Sequence, residues 1–257
     1  MSDYSKKIKS IFGLSFQLAK AEFKLRNEGS YFGIFWYLLN PLLAFSLLYL
    51  VFSDRLGSNI PRYPLYLLLG IIMFNFFQGA TIESLASIIK DYKSVIKSIN
   101  FPREALTASI VLKNLFSHFF EVIFFTILLI FFKVSVLGLL YYFLILIFFC
   151  LFIFGASLIL SSLAVYFIDL EGIWSFVVRL LWLGTPIFYT IAGQVRLYYI
   201  NLFNPMYYFI TIARDAVIYS EMPDILMLSG MVFYTLLSFV VGILLFNILK
   251  TKFAEKI

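Results

Sequence analysis

Charge is scarce in this chain. Of 257 residues only 13% are Asp, Glu, Lys or Arg, against roughly 25% in a soluble domain. Water could not solvate a surface of that composition. Cysteine is nearly absent: Cys150 stands alone inside an apolar run, so no intrachain disulfide can form and the residue reads as a small core or lipid-facing side chain. His118 is the single histidine, which excludes a histidine-rich metal site. No glycine precedes a lysine, so the chain has no phosphate loop of its own. Gly-x-Gly-x-x-Gly, His-Glu-x-x-His and Cys-x-x-Cys are missing too. The first thirty residues carry no signal-type apolar core or cleavage site.

What remains is apolar. Hydrophobic residues make up 62% of the chain, with 32 Phe and 17 Tyr. Several apolar runs exceed the roughly 18 residues needed to cross about 30 Å of hydrocarbon. Lipid leaves unpaired backbone groups unsatisfied, so each run must be a helix or a buried broken helix. The expectation is an all-α integral membrane protein, one compact domain, with six spans near Phe35–Phe52, Leu65–Glu83, Leu115–Phe132, Leu139–Phe167, Trp174–Tyr189 and Ile225–Leu249. The fourth, at 1.5 Å per residue about 43 Å long, must tilt or project. The fifth is short and merges into an irregular segment.

The net charge of +6 is distributed as lipid headgroups and orientation require, and does not point to nucleic acid. Fourteen basic residues fall before span one, between spans two and three, and in the tail. Five fall on the other side, and Arg179 lies within span five. The positive-inside rule then puts both termini in the cytoplasm. Asp169 and Glu171, on a short cytoplasmic link, count little in that rule.

Residues 6–28 place Ile8, Ile11, Phe12, Phe16, Ala19 and Phe23 at spacings of three and four among Lys and Glu. This predicts an amphipathic helix in the headgroup plane, with Gly29-Ser30 turning the chain into the bilayer. After span two, the apolar positions 85, 88, 89, 92, 95, 96 and 99 keep helical spacing while Lys90, Lys93 and Lys97 take the other side. Asn100-Phe101-Pro102-Arg103-Glu104 then stops and restarts the chain, with Pro102 and Glu104 suited to a first helical turn. A surface helix and a sharp corner of this kind could transmit a push from a cytoplasmic partner.

Residues 184–224 are too apolar for free solvent and too punctuated to cross cleanly. Two short helices dipping into the outer leaflet reconcile these features. Tyr198, Tyr199, Tyr207 and Tyr208 could line a path there, or form an interfacial aromatic belt. Glu83, Glu121 and Arg179 fall in or near spans, where ionisable groups face protein or water. Glu121 lies one turn past Ser117 and His118 and is expected to pair with Arg179 if spans three and five pack together. Ser161-Ser162 sits in apolar helix and bonds helix backbones or neighbouring helices.

Three stretches, in order and spacing, carry a family resemblance: Leu25-Arg-Asn-Glu-Gly-Ser-Tyr-Phe-Gly-Ile-Phe-Trp-Tyr-Leu-Leu-Asn-Pro41, Asn100-Phe-Pro-Arg-Glu104, and Phe203-Asn-Pro-Met-Tyr-Tyr-Phe209 followed by Arg214. Across nearly its whole length the chain resembles the permease subunit of type-2 ATP-binding-cassette exporters, on the branch that moves O-antigen, capsular polysaccharide and teichoic acid. Phe32 stands where that pattern usually has leucine. The resemblance implies a cytoplasmic interface helix over 1–30 and a six-helix transmembrane domain over 31–257. Within that domain it implies a coupling region over 84–104 and re-entrant gate helices over 191–224. It implies a second copy of the chain, two copies of a cytoplasmic ATPase, surrounding membrane lipid, and a lipid-linked polysaccharide as cargo. ATP and Mg²⁺ would sit on the ATPase, with no cofactor on this chain. Lys24, Arg26, Trp36, Tyr198, Tyr199, Tyr207, Tyr208 and Arg214 are the expected substrate-path residues. Lys24 and Arg26 would meet a diphosphate near the cytoplasmic entrance, unless they only contact lipid headgroups. Lys90, Lys93, Lys97, Phe101, Pro102, Arg103 and Glu104 are the expected coupling residues. A permease for a drug or another lipid is the alternative. A membrane-embedded transferase would need converging charged residues, whereas the acidic residues here are dispersed. A secondary transporter would usually show midplane charge or an inverted repeat.

Overall fold

The computed structural model describes residues 3–28, 33, 35–86, 102–167, 169–191 and 193–253. Lys90, Lys93, Lys97 and Phe101, with most of the expected coupling region, lie outside the described residues. Among the described residues every regular element is helical: α1 (Asp3–Asn27), α2 (Phe35–Phe52), α3 (Tyr63–Ala86), α4 (Glu104–Phe131), α5 (Gly138–Ala164), α6 (Leu170–Gly184), α7 (Val195–Leu202), α8 (Pro205–Arg214) and α9 (Ile225–Leu249). Short 3-10 turns occur at Gly57–Asn59 and Lys250–Lys252, and a π turn at Asp215–Tyr219 follows α8.

Four helices, α3, α4, α5 and α9, are long and apolar enough to cross a membrane, and α2 contributes a shorter apolar stretch, Leu38–Phe52. The expected fifth span is helical only in part. Its helix, α6, has 15 residues, about 22 Å at 1.5 Å per residue and short of a bilayer's hydrocarbon. Pro186 is the reason: a residue before proline is driven out of helical geometry, and Thr185 is extended at φ −80°, ψ 136°. The third span also begins early, because Glu104 opens one unbroken 28-residue helix.

α3 is the interior of the molecule. Leu65, Leu67, Leu69, Ile71, Met73 and Phe74 are all fully buried, although they point in every direction around the helix. α2, α4, α5, α6 and α8 pack around it. The most intimate pairing is α5 with α9. A Cβ on Gly155 would lie 2.4 Å from the Ser238 carbonyl carbon, and one on Gly242 would lie 2.4 Å from the Gly155 oxygen. Backbones therefore touch, as small residues permit between helices in lipid. Ser238 Oγ donates to the Phe152 carbonyl at 2.9 Å across the same contact. The outward faces keep large apolar side chains exposed, among them Ile127, Phe131, Leu140, Leu144, Leu236 and Ile248, which is the surface hydrocarbon solvates.

α1 does more than lie on a surface. Its Ser15 and Ala19 are buried, and Phe16 and Phe23 pack edge-on against Phe116 of α4, each at 5.9 Å between ring centroids. Phe12 stays 65% exposed on the other flank, so the apolar stripe is divided between α4 and the surroundings. Gly33, at φ +45°, stands in the left-handed region that favours glycine, between α1 and α2.

Candidate functional site

A polar cavity of about 580 Å³ lies between α2, α3 and α4. Its wall takes Trp36, Asn40 and Pro41 from α2, Asn75, Gln78, Gly79 and Glu83 from α3, and Asn114, Ser117, His118 and Glu121 from α4, with Arg26 and Gly33 at the junction of α1 and α2. The arrangement follows from helix period. Asn75, Gln78 and Ile82, with Gly79 and Glu83 beside them, recur at three- and four-residue steps on one face of α3, and Asn114, Ser117, His118 and Glu121 do the same on α4. Asn75 lies 11 residues from the end of α3, about 16 Å, so the cavity reaches the middle of the helix bundle. Pro41, inside α2, removes an N–H that would bond four residues back.

Three sets of contacts shape the cavity. At its mouth Arg26 Nη1 donates to Glu83 Oε1 at 3.1 Å, and Asn114 Nδ2 donates to Glu83 Oε2 at 2.9 Å. Behind Glu83, Lys113 Nζ bridges Glu22 and Glu83 at 3.0 Å each, and Ser109 Oγ donates to Glu22 at 3.4 Å. One ion network thus ties α1 to α3 and α4. Deeper, His118 Nδ1 is 3.2 Å from Glu121 Oε2 and its Nε2 is 2.6 Å from the Tyr142 hydroxyl on α5, with the imidazole stacked on Phe76 at 5.0 Å. The expected Glu121–Arg179 pair is corrected: Glu121 is buried against His118, while Arg179 is exposed on α6. The reason is packing, since α6 lies against α3 and α5, and the partner one helical turn away is already in reach.

On the opposite side of α3, Arg214 organises a second constellation. It is 2% exposed. Its Nε and Nη2 donate to the Tyr66 carbonyl at 3.1 and 2.9 Å, Nη1 to Pro186 at 2.6 Å, and Nη2 also to Ile187 at 2.9 Å. The guanidinium carbon lies 3.4 Å over the Tyr66 ring. Tyr63 and Tyr66 hydroxyls donate to the Phe188 and Tyr189 carbonyls at 3.0 and 2.7 Å. The broken strand of chain after α6 has carbonyls with no helical donors, and arginine and tyrosine supply them. Asn204 closes the bracket: its Oδ1 caps the Met206 N–H at 3.1 Å and its Nδ2 donates to Thr185 Oγ1 at 2.8 Å.

The expected path residues separate accordingly. Arg26 and Trp36 border the inner cavity. Lys24 is exposed and lies 3.7 Å from Glu28 on its own helix. Tyr207 and Arg214 border an outer recess of about 250 Å³ with Tyr66, Thr190 and Asp215. Tyr208 is buried, donates to the Leu202 carbonyl at 2.8 Å and covers Gly230. Tyr199 is 61% exposed and Tyr198 half-buried. Of the expected coupling residues, Pro102 leads into α4. Arg103 donates to the Lys250 carbonyl and lies 5.7 Å over the Phe253 ring. Glu104 accepts from Lys250 Nζ. Both therefore hold the C-terminal end of α9.

Burial raises the Asp215 carboxyl to about 6, with Glu221 adding to the shift and Arg214 opposing it. Burial likewise raises the Tyr207 phenol to about 12. Sequence reading missed Asn75, Gln78, Asn114 and Lys113. The three- and four-residue spacing of polar side chains within apolar runs was the available signal.

Residues 14–218 match the ABC-2 type transporter family. The chain is 30% identical over 255 residues to the O-antigen export system permease protein RfbA of Klebsiella pneumoniae, covering 95% of each chain. A protein of the same description from Myxococcus xanthus is 26% identical over 260 residues, again over 95% of each.

Proposed function

The chain belongs to the ABC-2 type transporter family, and from that premise we propose that it exports O-antigen or a related cell-surface polysaccharide carried on undecaprenyl diphosphate. It is a permease, a transport subunit rather than an enzyme, and a multi-pass protein of a bacterial inner membrane. ABC membership brings with it an ATPase partner and a lipid-borne cargo. On our reading two copies of the chain join two copies of that ATPase, and ATP and Mg²⁺ act there. The helix α1 serves as the interface helix, the segment 84–104 as the coupling region and the bracket of α7 and α8 as the outer gate. With α2 counted, and with α6 continued by the broken chain over 185–191, the chain has six spans and both termini in the cytoplasm.

The observation that carries the cargo assignment is similarity along the whole chain to two O-antigen permeases. A polar cavity cut into an otherwise apolar bundle is consistent with hydrophilic cargo. The test is deletion of the chain in its own host, with surface glycan and lipid-linked intermediates both measured. Loss of surface glycan with intermediates accumulating inside is the expected result. Unchanged surface glycan would exclude this cargo, and failure to co-purify with an ATPase would exclude the assembly.

A further inference from the structure

Resting on the export reading above, we infer that the cavity between α2, α3 and α4 is a binding site for uncharged sugar residues of the cargo, and that it excludes the diphosphate. Charge carries the second half. The guanidinium on this wall, Arg26, is already answered by Glu83 at 3.1 Å, and the other carboxyl, Glu121, is buried against His118. Behind Glu83, Lys113 is held between Glu22 and Glu83. A diphosphate entering here would have to displace Glu83 from both Arg26 and Lys113, breaking ion pairs already made at close range, which is costly.

Uncharged hydroxyl-rich cargo fits the same wall. Asn40, Asn75 and Gln78 line the cavity and have no side-chain hydrogen-bond partner among the described residues. Each carries both donors and an acceptor, so each can meet a sugar hydroxyl in either sense. Amides set within apolar helices at this depth are costly unless something polar meets them. Glu121 and Glu83 add acceptors. Trp36, 48% exposed, offers flat apolar surface to the C–H face of a sugar ring. The volume of about 580 Å³ falls within the roughly 300–1,000 Å³ of ordinary ligand sites and suits a short oligosaccharide. The diphosphate stays outside, at the level of the exposed Lys20 and Lys24 on α1.

The test uses inside-out vesicles holding the assembled transporter with ATP hydrolysis blocked. Gln78→Cys, in a Cys150→Ala chain, is labelled with a membrane-impermeant maleimide. Vesicles come from cells that make the lipid-linked glycan and from cells lacking the transferase that attaches its first sugar. Several-fold slower labelling with the glycan present, and no slowing by inorganic diphosphate, is the expected result. Equal labelling in both vesicle types overturns the proposal. So does protection by diphosphate alone, which would make this a phosphate site, and so does absence of labelling, which would make it closed to water. Asn75→Leu with Gln78→Leu, substitutions that suit lipid better than the native amides, should leave monodisperse protein and a several-fold loss of export; full export would also overturn it. If deleting the chain leaves export intact, the export reading itself fails. If deletion abolishes export but Gln78→Cys is never protected, only the cavity assignment fails.

Discussion

Gly70 makes room for Arg214: a Cβ on Gly70 would lie 2.5 Å from Arg214 Nη2 and 3.2 Å from Ile187 Cγ2. An arginine fork inserted between α3 and the broken chain at Pro186 can exist only where α3 has no side chain. Gly70→Ala should therefore destabilise the purified protein by roughly 1–3 kcal/mol, as overpacking does elsewhere. Arg214→Lys should also destabilise, because a lysine cannot bond three carbonyls in a fixed fork. Thermal unfolding in detergent reads both. Combined with Arg214→Lys, Gly70→Ala should cost less than it does alone, since the guanidinium it collides with is gone.

Lys113 holds α1 to the bundle through two carboxylates and is 14% exposed. Lys113→Met keeps the length of the side chain but leaves Glu22 and Glu83 without their shared cation. A loss of about 3 kcal/mol is the scale for breaking a buried pair from one side, reduced here because Glu83 retains Arg26 and is 31% exposed. Limited trypsin digestion should cut at Lys20 and Lys24 several-fold faster in the variant. Unchanged cutting would show that Phe16, Phe23 and Phe116 hold α1 unaided.

Glu104 and Lys250 join the start of α4 to the end of α9. Reversing either charge alone, by Glu104→Lys or Lys250→Glu, should reduce export, while the double reversal should restore much of it. Surface glycan, normalised to membrane-inserted permease, is the measurement. Equal loss in the double variant would mean that Glu104 acts on something other than Lys250.

Asp215 gives a pH dependence. Burial raises its carboxyl from the ordinary 3.8 to about 6, so between those values the folded protein holds more proton than the unfolded chain. Stability contributed by this group is therefore lost as pH rises through that window and is level above it. Relative to Asp215→Asn, the native protein should show a falling unfolding midpoint from pH 4.5 to pH 6.5, within the roughly one-unit spread such shifts carry. Parallel curves would remove Asp215 from the account.

The spans were legible because hydrocarbon demands long apolar runs; Ile225–Leu249 agrees with α9 at both ends. Which helix lay inside was not legible. In water a polar face marks the outside, but α3 at the centre and α9 at the edge are both predominantly apolar, since lipid and protein interior reward the same side chains. Neighbour relations were hidden for the same reason, and so Glu121 was matched to a distant arginine instead of His118. The four tyrosines of the outer segment read alike in sequence. Only the fold separates Tyr207 and Tyr208, packed inward, from Tyr199, which faces out. Arg103 and Glu104 were expected at a coupling corner, but the sequence did not foretell their hold on Lys250, a contact spanning more than half the chain.

The burial of α3 has a mechanical corollary. Tyr66 and Gly70, which seat the arginine bracket, and Asn75, Gln78 and Glu83, which wall the inner cavity, ride on this one helix, with Tyr66 and Glu83 about 26 Å apart at 1.5 Å per residue. The only proline within it, Pro64, falls in the first turn, where it does not bend the helix. Were a rod of this kind to tilt as one body, the Tyr66 end would swing opposite to the Glu83 end; because the two chambers lie on opposite faces of the helix, both would narrow or widen together.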